Sequence, residues 1–490
     1  MPTTLVWLRH DLRLADHPAL DAAARRGAVV PVFIWAPDEE EPAPGGAHRW
    51  WLDGSLRALG ADLEAKGSRL VVRRGPSLGA LREVMAETGA DAVFWNARPE
   101  PALARRDASV ARRLRVDGVE VQTFTSRLLH DPDAVRTGSG GSYRVFGPFQ
   151  RRFLAEVEIA APLAVPVLAG CAPATWPASE PIDALRLDAL AQDGIDWAAS
   201  MRPAWTRGEA GARARLSAFV DERLHAYSDA RDRVGEEGSS SLEPHLHHGE
   251  VSPRGVWAAV RAGAEATGQP AVAEKYLSEI AWREFAYHVL HHHPRSPVTP
   301  LNPDFLRLPT VSDPDAFVAW RIGQTGYPVV DAGMRQLWAL GWMHNRARMI
   351  TASFLTKDLL LPWQDGARHF HDALCGADLA SNTLNWQWAA GSGADAQPFF
   401  RIFNPVAQGE KFDPAGAYVR RWVPELADVP AKFIHRPWEA PASVLDAAGV
   451  TLGTTYPRPI VDHGVARTRA LAAYKAMRPA REEAEAGAAA

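Results

Sequence analysis

Two tryptophans, Trp386 and Trp388, stand one residue apart in the stretch LNWQWAAGSGADAQPFFRIFNP, which begins at residue 384. On a helix, side chains two positions apart point about 200° away from each other, so the two indoles cannot share a partner. Each needs surroundings of its own, and an indole serves equally in a core or as a stacking platform for a flat ligand. Upstream, residues 333–357 carry Arg335, Arg346, Arg348 and Lys357 and no carboxylate. Such a window is either a solvated helix face or a grip for phosphates. Two histidine groups invite a metal reading: His245, His247 and His248 in HLHHGE, and His291, His292 and His293. Their spacing matches neither a zincin helix nor a zinc finger, and no cysteine supports them, so no metal site is expected. The sequence also lacks a nucleophile elbow and a G-x-G-x-x-G after its first strand.

The elements that must position these residues fall into two patterns. Over roughly residues 1–130, short apolar runs (TLVWL, AVVPVFIWA, RLVVRRG, DAVFWN, VEVQTFT) alternate with Ala- and Arg-rich helical stretches. That alternation predicts a doubly wound parallel sheet with helices on both faces. Residues 131–207 are rich in Gly, Ser, Ala and Pro and read as a long connector. From 208 to 477 the periodicity is helical, and 478–490 reads as a disordered tail. The expected architecture is an α/β N-terminal domain joined by a connector to an all-α C-terminal domain.

Composition narrows the class. The chain has 490 residues, 47% hydrophobic and 23% charged, with a net charge of −4 and two cysteines. No apolar run approaches the ~18 residues that span a bilayer, and two cysteines make no disulfide framework. A cytoplasmic protein is expected.

Four segments read together are more specific: WLRHDLRLADHPAL, EIAWREFAYHVL, TGYPVVDAGMRQLWALGWMHNRARMITASFLTKDLLLPW, and the segment from ADLASNTLNWQWAAGSG to VRRWVPEL. They closely resemble the photolyase/cryptochrome family, from the first strand to about residue 440. The resemblance implies an antenna domain over 1–130 and a helical FAD- and DNA-binding domain over 208–477. It also implies light-driven splitting of cyclobutane pyrimidine dimers in UV-damaged DNA by electron transfer from reduced FAD. GWMHNRARM resembles the signature of class I dimer photolyases. A monomer with no obligate protein partner is expected. The alternative within the family is an FAD photoreceptor without repair activity; a light-independent DNA-binding protein that had lost its flavin is a third reading.

Residue by residue, the resemblance assigns Arg231, Glu279, Trp282, Asn345, Arg346, Met349 and Trp388 to the lesion and its phosphates, with Trp282 and Trp388 as indole walls. It treats Glu279 as a buried carboxyl steadying the dimer radical anion. It assigns Tyr227, Ser239, Ser240, Ser241, Leu242, Glu243, Tyr276, Arg283, Arg348, Gly376, Ala377, Asp378 and Asn382 to FAD, with Asn382 facing flavin N5. Trp386 and Trp363 become the inner and middle members of a tryptophan relay to the flavin. There are departures. The outer relay tryptophan is replaced by Thr310, and the aspartate that pairs with the Arg348 position is replaced by Gly376. The family's phosphate-binding TSRLS reads SSSLE, ending in Glu243. The Asn-Glu pair of folate-binding relatives is replaced by Ala102 and Leu103, which speaks against methenyltetrahydrofolate and leaves a deazaflavin, a second flavin or no antenna open.

Overall fold

The computed structural model describes residues 1–188, 196–396 and 400–477. The expected tail at 478–490, part of the connector and residues 397–399 of the tryptophan-bearing motif lie outside the described residues. The chain groups into two compact units, one built from Met1–Ser228, Ser239–His292 and Asp372–Ala380, the other from Asp229–Gly238, His293–His371 and Ser381–Ala490.

The first unit holds the five strands β1 (Thr3–Leu8), β2 (Ala28–Trp35), β3 (Val71–Arg74), β4 (Ala92–Asn96) and β5 (Glu120–Phe124). They form one sheet in the order β3-β2-β1-β4-β5, and every pairing is parallel. The four intervening helices are α1 (Pro18–Arg26), α2 (Gly46–Ala65), α3 (Ser77–Thr88) and α4 (Pro101–Val116). Period-two alternation sends strand side chains to opposite faces. Val6, Leu8, Val29 and Phe33 pack with Leu52, Leu56 and Leu59 of α2, while Leu5, Trp7, Val30 and Val32 pack with Leu81 and Val84 of α3 and Val110 and Leu114 of α4. The sheet is therefore covered on both faces, as the alternating sequence pattern predicts. Its order reverses direction between β1 and β4, which places the loops after those strands side by side at the carboxyl edge of the sheet.

Also in this unit are α5 (Phe146–Glu156), inside the segment read as connector, and α6 (Glu209–Glu222), followed by the short α7 (Tyr227–Ala230) at the boundary of the units. Then come α8 (Glu243–His248), α9 (Pro253–Ala266) and α10 (Pro270–His292). Ser252 caps α9 by accepting from Gly255 N–H at 2.9 Å, with Pro253 at the first helical position where its missing N–H costs nothing. Along α10, Tyr276, Leu277, Ile280, Ala281, Phe285 and Leu290 are all buried, which makes it a central helix of its unit rather than a surface one.

The second unit is helical: α11 (Pro314–Arg321), α12 (Pro328–Leu340), α13 (Asn345–Ser353), α14 (Trp363–Ala373), α15 (Leu379–Ala390), α16 (Pro405–Phe412), α17 (Ala417–Trp422), α18 (Ala442–Ala447) and α19 (His463–Met477). α15 starts at the end of the first unit and runs on into the second. Between α13 and α14 the chain makes a π-helical turn over Phe354–Asp358. There the N–H of Leu359 donates to the carbonyl of Phe354, five residues back, at 3.0 Å. Such widened turns concentrate at functional sites, and nothing in the sequence pattern signals this one.

Candidate functional site

The site residues assigned from sequence divide between the units. In the first unit lie Tyr227, Ser239, Ser240, Ser241, Leu242, Glu243, Tyr276, Glu279, Trp282, Arg283, Gly376, Ala377 and Asp378; in the second lie Arg231, Asn345, Arg346, Arg348, Met349, Trp363, Asn382, Trp386 and Trp388.

In the first unit the SSSLE loop leads into α8. Ser241 takes a left-handed backbone conformation at φ 50°, uncommon for a residue with a side chain. Ser240 accepts from the Tyr276 hydroxyl at 2.8 Å, and burial pushes that phenol up to about 12. Tyr227, Tyr276 and Phe219 pack as one aromatic group, with ring centres 4.5 to 5.7 Å apart. Two departures from the family pattern turn out to be neighbours. A Cβ on Gly376 would lie 2.8 Å from Glu243 Cγ, 2.9 Å from Pro244 N and 3.0 Å from the Glu243 carbonyl carbon. The absent side chain at 376 makes the room that the glutamate at 243 occupies.

Asp378 is held by residues outside the sequence assignment. Its carboxylate accepts from Arg127 Nη2 at 3.1 Å and from the Tyr287 hydroxyl at 2.5 Å. Arg127 Nε also donates to Tyr287 at 2.9 Å, and Arg283 Nη1 donates to the carbonyl of Arg127 at 2.7 Å. Burial alone would lower Arg127, but Tyr287, Glu100 and Asp378 together raise it above the ordinary guanidinium range. It is a permanent cation here. Among the described residues, buried Arg283 Nη2 has no hydrogen-bond partner, at a cost of about 1–3 kcal/mol unless something accepts from it. A buried guanidinium N–H awaiting an acceptor, with an anchored carboxylate and an aromatic group in the same unit, fits a flavin dinucleotide with its oxygens and flat rings. Glu279 is half-buried, not the buried carboxyl expected from sequence. Trp282 stacks against Phe146 with ring centres 3.8 Å apart and planes 13° apart. That phenyl fixes the indole from one side.

In the second unit, the two tryptophans of α15 separate as their spacing requires. Trp386 is 2% exposed, packed edge-on against Phe370 at 5.0 Å and Trp320 at 6.2 Å. Its six-membered ring also fills the space left by Gly366, where a Cβ would lie 2.1 Å from Trp386 Cη2. Among the described residues, the rings packed on Trp386 do not include Trp363, which is buried at the start of α14. Asn382 donates from Nδ2 to the carbonyl of Ala367 at 2.9 Å, which sets the orientation of its amide.

Trp388, on the other side of α15, is half-buried and lines a pocket with Met349, Ser353, Lys357, Arg401 and Phe403. Lys357 comes from the π-helical turn. Its ammonium donates to the carbonyl of Ala390 at 2.9 Å and lies 3.4 Å from the ring centre of Phe400. Burial pushes it down to about 7, with Asp358 pulling the other way. Asn345 and Met349 are one turn apart on α13, with Asn345 Nδ2 3.9 Å from the thioether. Arg346 pairs with Asp232 at 2.8 Å and lies over Phe412, and Arg348 Nε donates to the carbonyl of Met343 at 2.8 Å. The basic window is thus partly engaged inside the protein. Arg401 and Lys357 are pocket residues that the sequence assignment did not include; the carboxylate-free window already contained Lys357, and only its burial singles it out.

Known proteins resemble this chain over nearly its whole length. A family model described as DNA photolyase matches residues 4–167, and one described as the FAD binding domain of DNA photolyase matches residues 276–476. The chain is 48% identical to a deoxyribodipyrimidine photo-lyase of Agrobacterium fabrum, over 97% of this chain and 98% of that one. It is 39% identical to Cryptochrome-2 of Arabidopsis thaliana, over 95% of this chain and 77% of the plant protein. Among solved structures, a bacterial class III photolyase from Agrobacterium tumefaciens matches with a TM-score of 0.93 and 48% identity, covering 97% of this chain and 98% of that one. This finding corrects the class I expectation. GWMHNRARM does not by itself mark the class.

Proposed function

Because the chain belongs to the photolyase/cryptochrome family, we propose that it is a light-dependent deoxyribodipyrimidine photo-lyase of the class III kind, which splits cyclobutane pyrimidine dimers in UV-damaged DNA. The observation that carries this reading is the pocket in which the Trp388 indole, the Met349 thioether, the Lys357 amine and the Arg401 guanidinium converge. An apolar platform beside positive charge suits a flipped-out dimer and its phosphate, and photolyases are a standing example of base flipping.

The chemistry that FAD supplies when bound is donation of one electron to the dimer under light and recovery of that electron after the ring opens. The chain's own residues bind, orient and exclude water. Arg283, Asp378 and the aromatic group of Tyr227 and Tyr276 would hold the cofactor. Arg127 and Tyr287 fix Asp378 so that its carboxylate does not reorganise during turnover. The bond to Ala367 orients the Asn382 amide. Trp388 and Met349 offer apolar contact to the bases, and the family resemblance assigns Trp282, stiffened by Phe146, and Glu279 to the lesion as well. Arg346 and Arg401 supply phosphate contacts, whose affinity falls as salt rises.

The test is repair of thymine-dimer DNA by reduced, FAD-loaded protein in light and in darkness. Dimers disappear in light only. The 39% identity to a cryptochrome favours one second reading, a photoreceptor without repair; it would follow if the protein bound FAD yet left the dimers intact under light.

A further inference from the structure

We propose that His10, His48 and His247 form a binding site for one late first-row transition-metal ion, with zinc as the simplest case. The three come from separate places in the first unit: the loop after β1, the first turn of α2 and the end of α8. Each is buried and offers one ring nitrogen, and the three nitrogens lie within 4.8 Å of one another. His48 Nδ1 is 3.0 Å from His247 Nε2. The ring centres make a nearly equilateral triangle, 5.0 Å from His10 to His48, 4.7 Å from His10 to His247 and 5.0 Å from His48 to His247. Three imidazoles that share one ion at about 2.0–2.1 Å with tetrahedral angles place their ring centres roughly 5 Å apart.

The competing account is a packed group of neutral imidazoles. It leaves a shortage of partners, because one proton can serve only the His48–His247 pair. Among the described residues, Nδ1 of His10 is buried with no hydrogen-bond partner, and an ion shared by the three rings removes the shortage.

Nearby charge also permits a dication. Arg98 is matched by Glu100 at 3.0 Å and Glu40 at 3.9 Å. Arg127 is matched by Glu100 at 3.3 Å and Asp378 at 3.1 Å. Glu250, paired with His245 at 2.5 Å, adds a further carboxylate. Each guanidinium near the triad is thus paired with carboxylates. The site is also held from behind. Arg127 Nη1 donates to the carbonyl of His247 at 2.7 Å, and the ring of His248 packs 4.6 Å from that of His48 while its Nε2 pairs with the carbonyl of Cys375 at 3.0 Å.

The experiment uses the full FAD-loaded chain, produced in zinc-supplemented medium, washed with chelator and measured by elemental analysis. One equivalent of zinc is expected in the parent protein. In His10→Gln and in His48→Gln it should fall at least tenfold, and it should be unchanged in the double variant His291→Ala/His292→Ala, which removes the histidines beside Asp133 at the end of α10. Background zinc in the parent, or loss of zinc in the surface variant instead, overturns the site. Should a buried variant fail to retain flavin, X-ray absorption on the zinc-loaded parent still decides. Three nitrogen ligands at about 2.0–2.1 Å support the triad, and an oxygen-dominated shell or a single imidazole refutes it.

Discussion

The contact between Gly376 and Glu243 gives a prediction whose size follows from the geometry. Gly376 does not need a left-handed backbone, since its φ is not positive, so an alanine there is opposed by space alone. Three atoms lie at or inside 3.0 Å of the added Cβ, and two of them, Pro244 N and the Glu243 carbonyl carbon, belong to the main chain at the start of α8. Overpacking of this kind costs about 1–3 kcal/mol. Against it stands the gain of about 0.4–1 kcal/mol from a stiffer unfolded chain. Gly376→Ala should therefore destabilise by about 1–2 kcal/mol. Glu243→Ala removes the third obstructing atom, Cγ, at the cost of an acidic group in the first turn of a helix, worth about 0.3–1 kcal/mol. In the double variant the remaining clash is with main chain only, so the two losses should fall short of their sum by at least ~0.5 kcal/mol. The assay is the urea midpoint of FAD-loaded protein in the dark, with flavin retained on desalting as a second readout. Additive losses, or a Gly376→Ala protein as stable as the parent, would refute the reading that the empty position and the glutamate depend on each other.

Three further perturbations probe the second unit. Gly366→Ala gains about 1 kcal/mol of helix propensity but drives a Cβ to 2.1 Å from Trp386; a lower melting temperature and altered light-driven flavin reduction are expected, and a higher melting temperature would mean the indole has room to move. Lys357 is charged in the unfolded chain up to about pH 10.4 but only below about 7 when folded. The unfolded state thus binds more protons between these values, and this residue makes stability rise with pH across that window, by up to ~1.4 kcal/mol per unit. Lys357→Met should flatten the pH dependence of the urea midpoint between pH 7 and 10, and an unchanged slope would place its titration elsewhere. Trp363→Phe should slow photoreduction if Trp363 follows Trp386 in the relay. Because Trp320 is the tryptophan packed on Trp386, loss of photoreduction in Trp320→Phe, with Trp363→Phe unaffected, would redirect the path.

What the sequence revealed and what it hid have a common physical cause. The strands were readable because five short apolar runs alternate with helical segments, and that local pattern has few folded solutions. The separate surroundings of Trp386 and Trp388 were readable because helix geometry turns a spacing of two into opposite faces. Arg127 and Tyr287 were not, although they anchor an assigned residue, because 251 positions separate Arg127 from Asp378 and no local pattern encodes the meeting. The histidines fail as a motif for the same reason. HLHHGE looks like one group, yet His245 turns to Glu250, His248 to the Cys375 carbonyl and His247 to His48, 199 positions away. Gly376 and Glu243 appeared as two unrelated departures until the chain was folded.

The π-helical turn at Phe354–Asp358 constrains the length of the chain more than its spelling. Removing one residue would let the ladder of α13 run on, and every following side chain would swing by about 100°. Lys357 would leave the Ala390 carbonyl and the ring of Phe400, and Asp358 would lose His463, now 2.5 Å away. Arg469 would lose the Asp358 carbonyl that it holds at 2.6 Å. A changed residue alters one of these contacts, whereas a lost residue alters all of them together. Insertions and deletions should be tolerated in the Gly/Ser loop around residues 137–142 and rejected here, so the reading frame of this turn acts as a gauge block between α13 and α14.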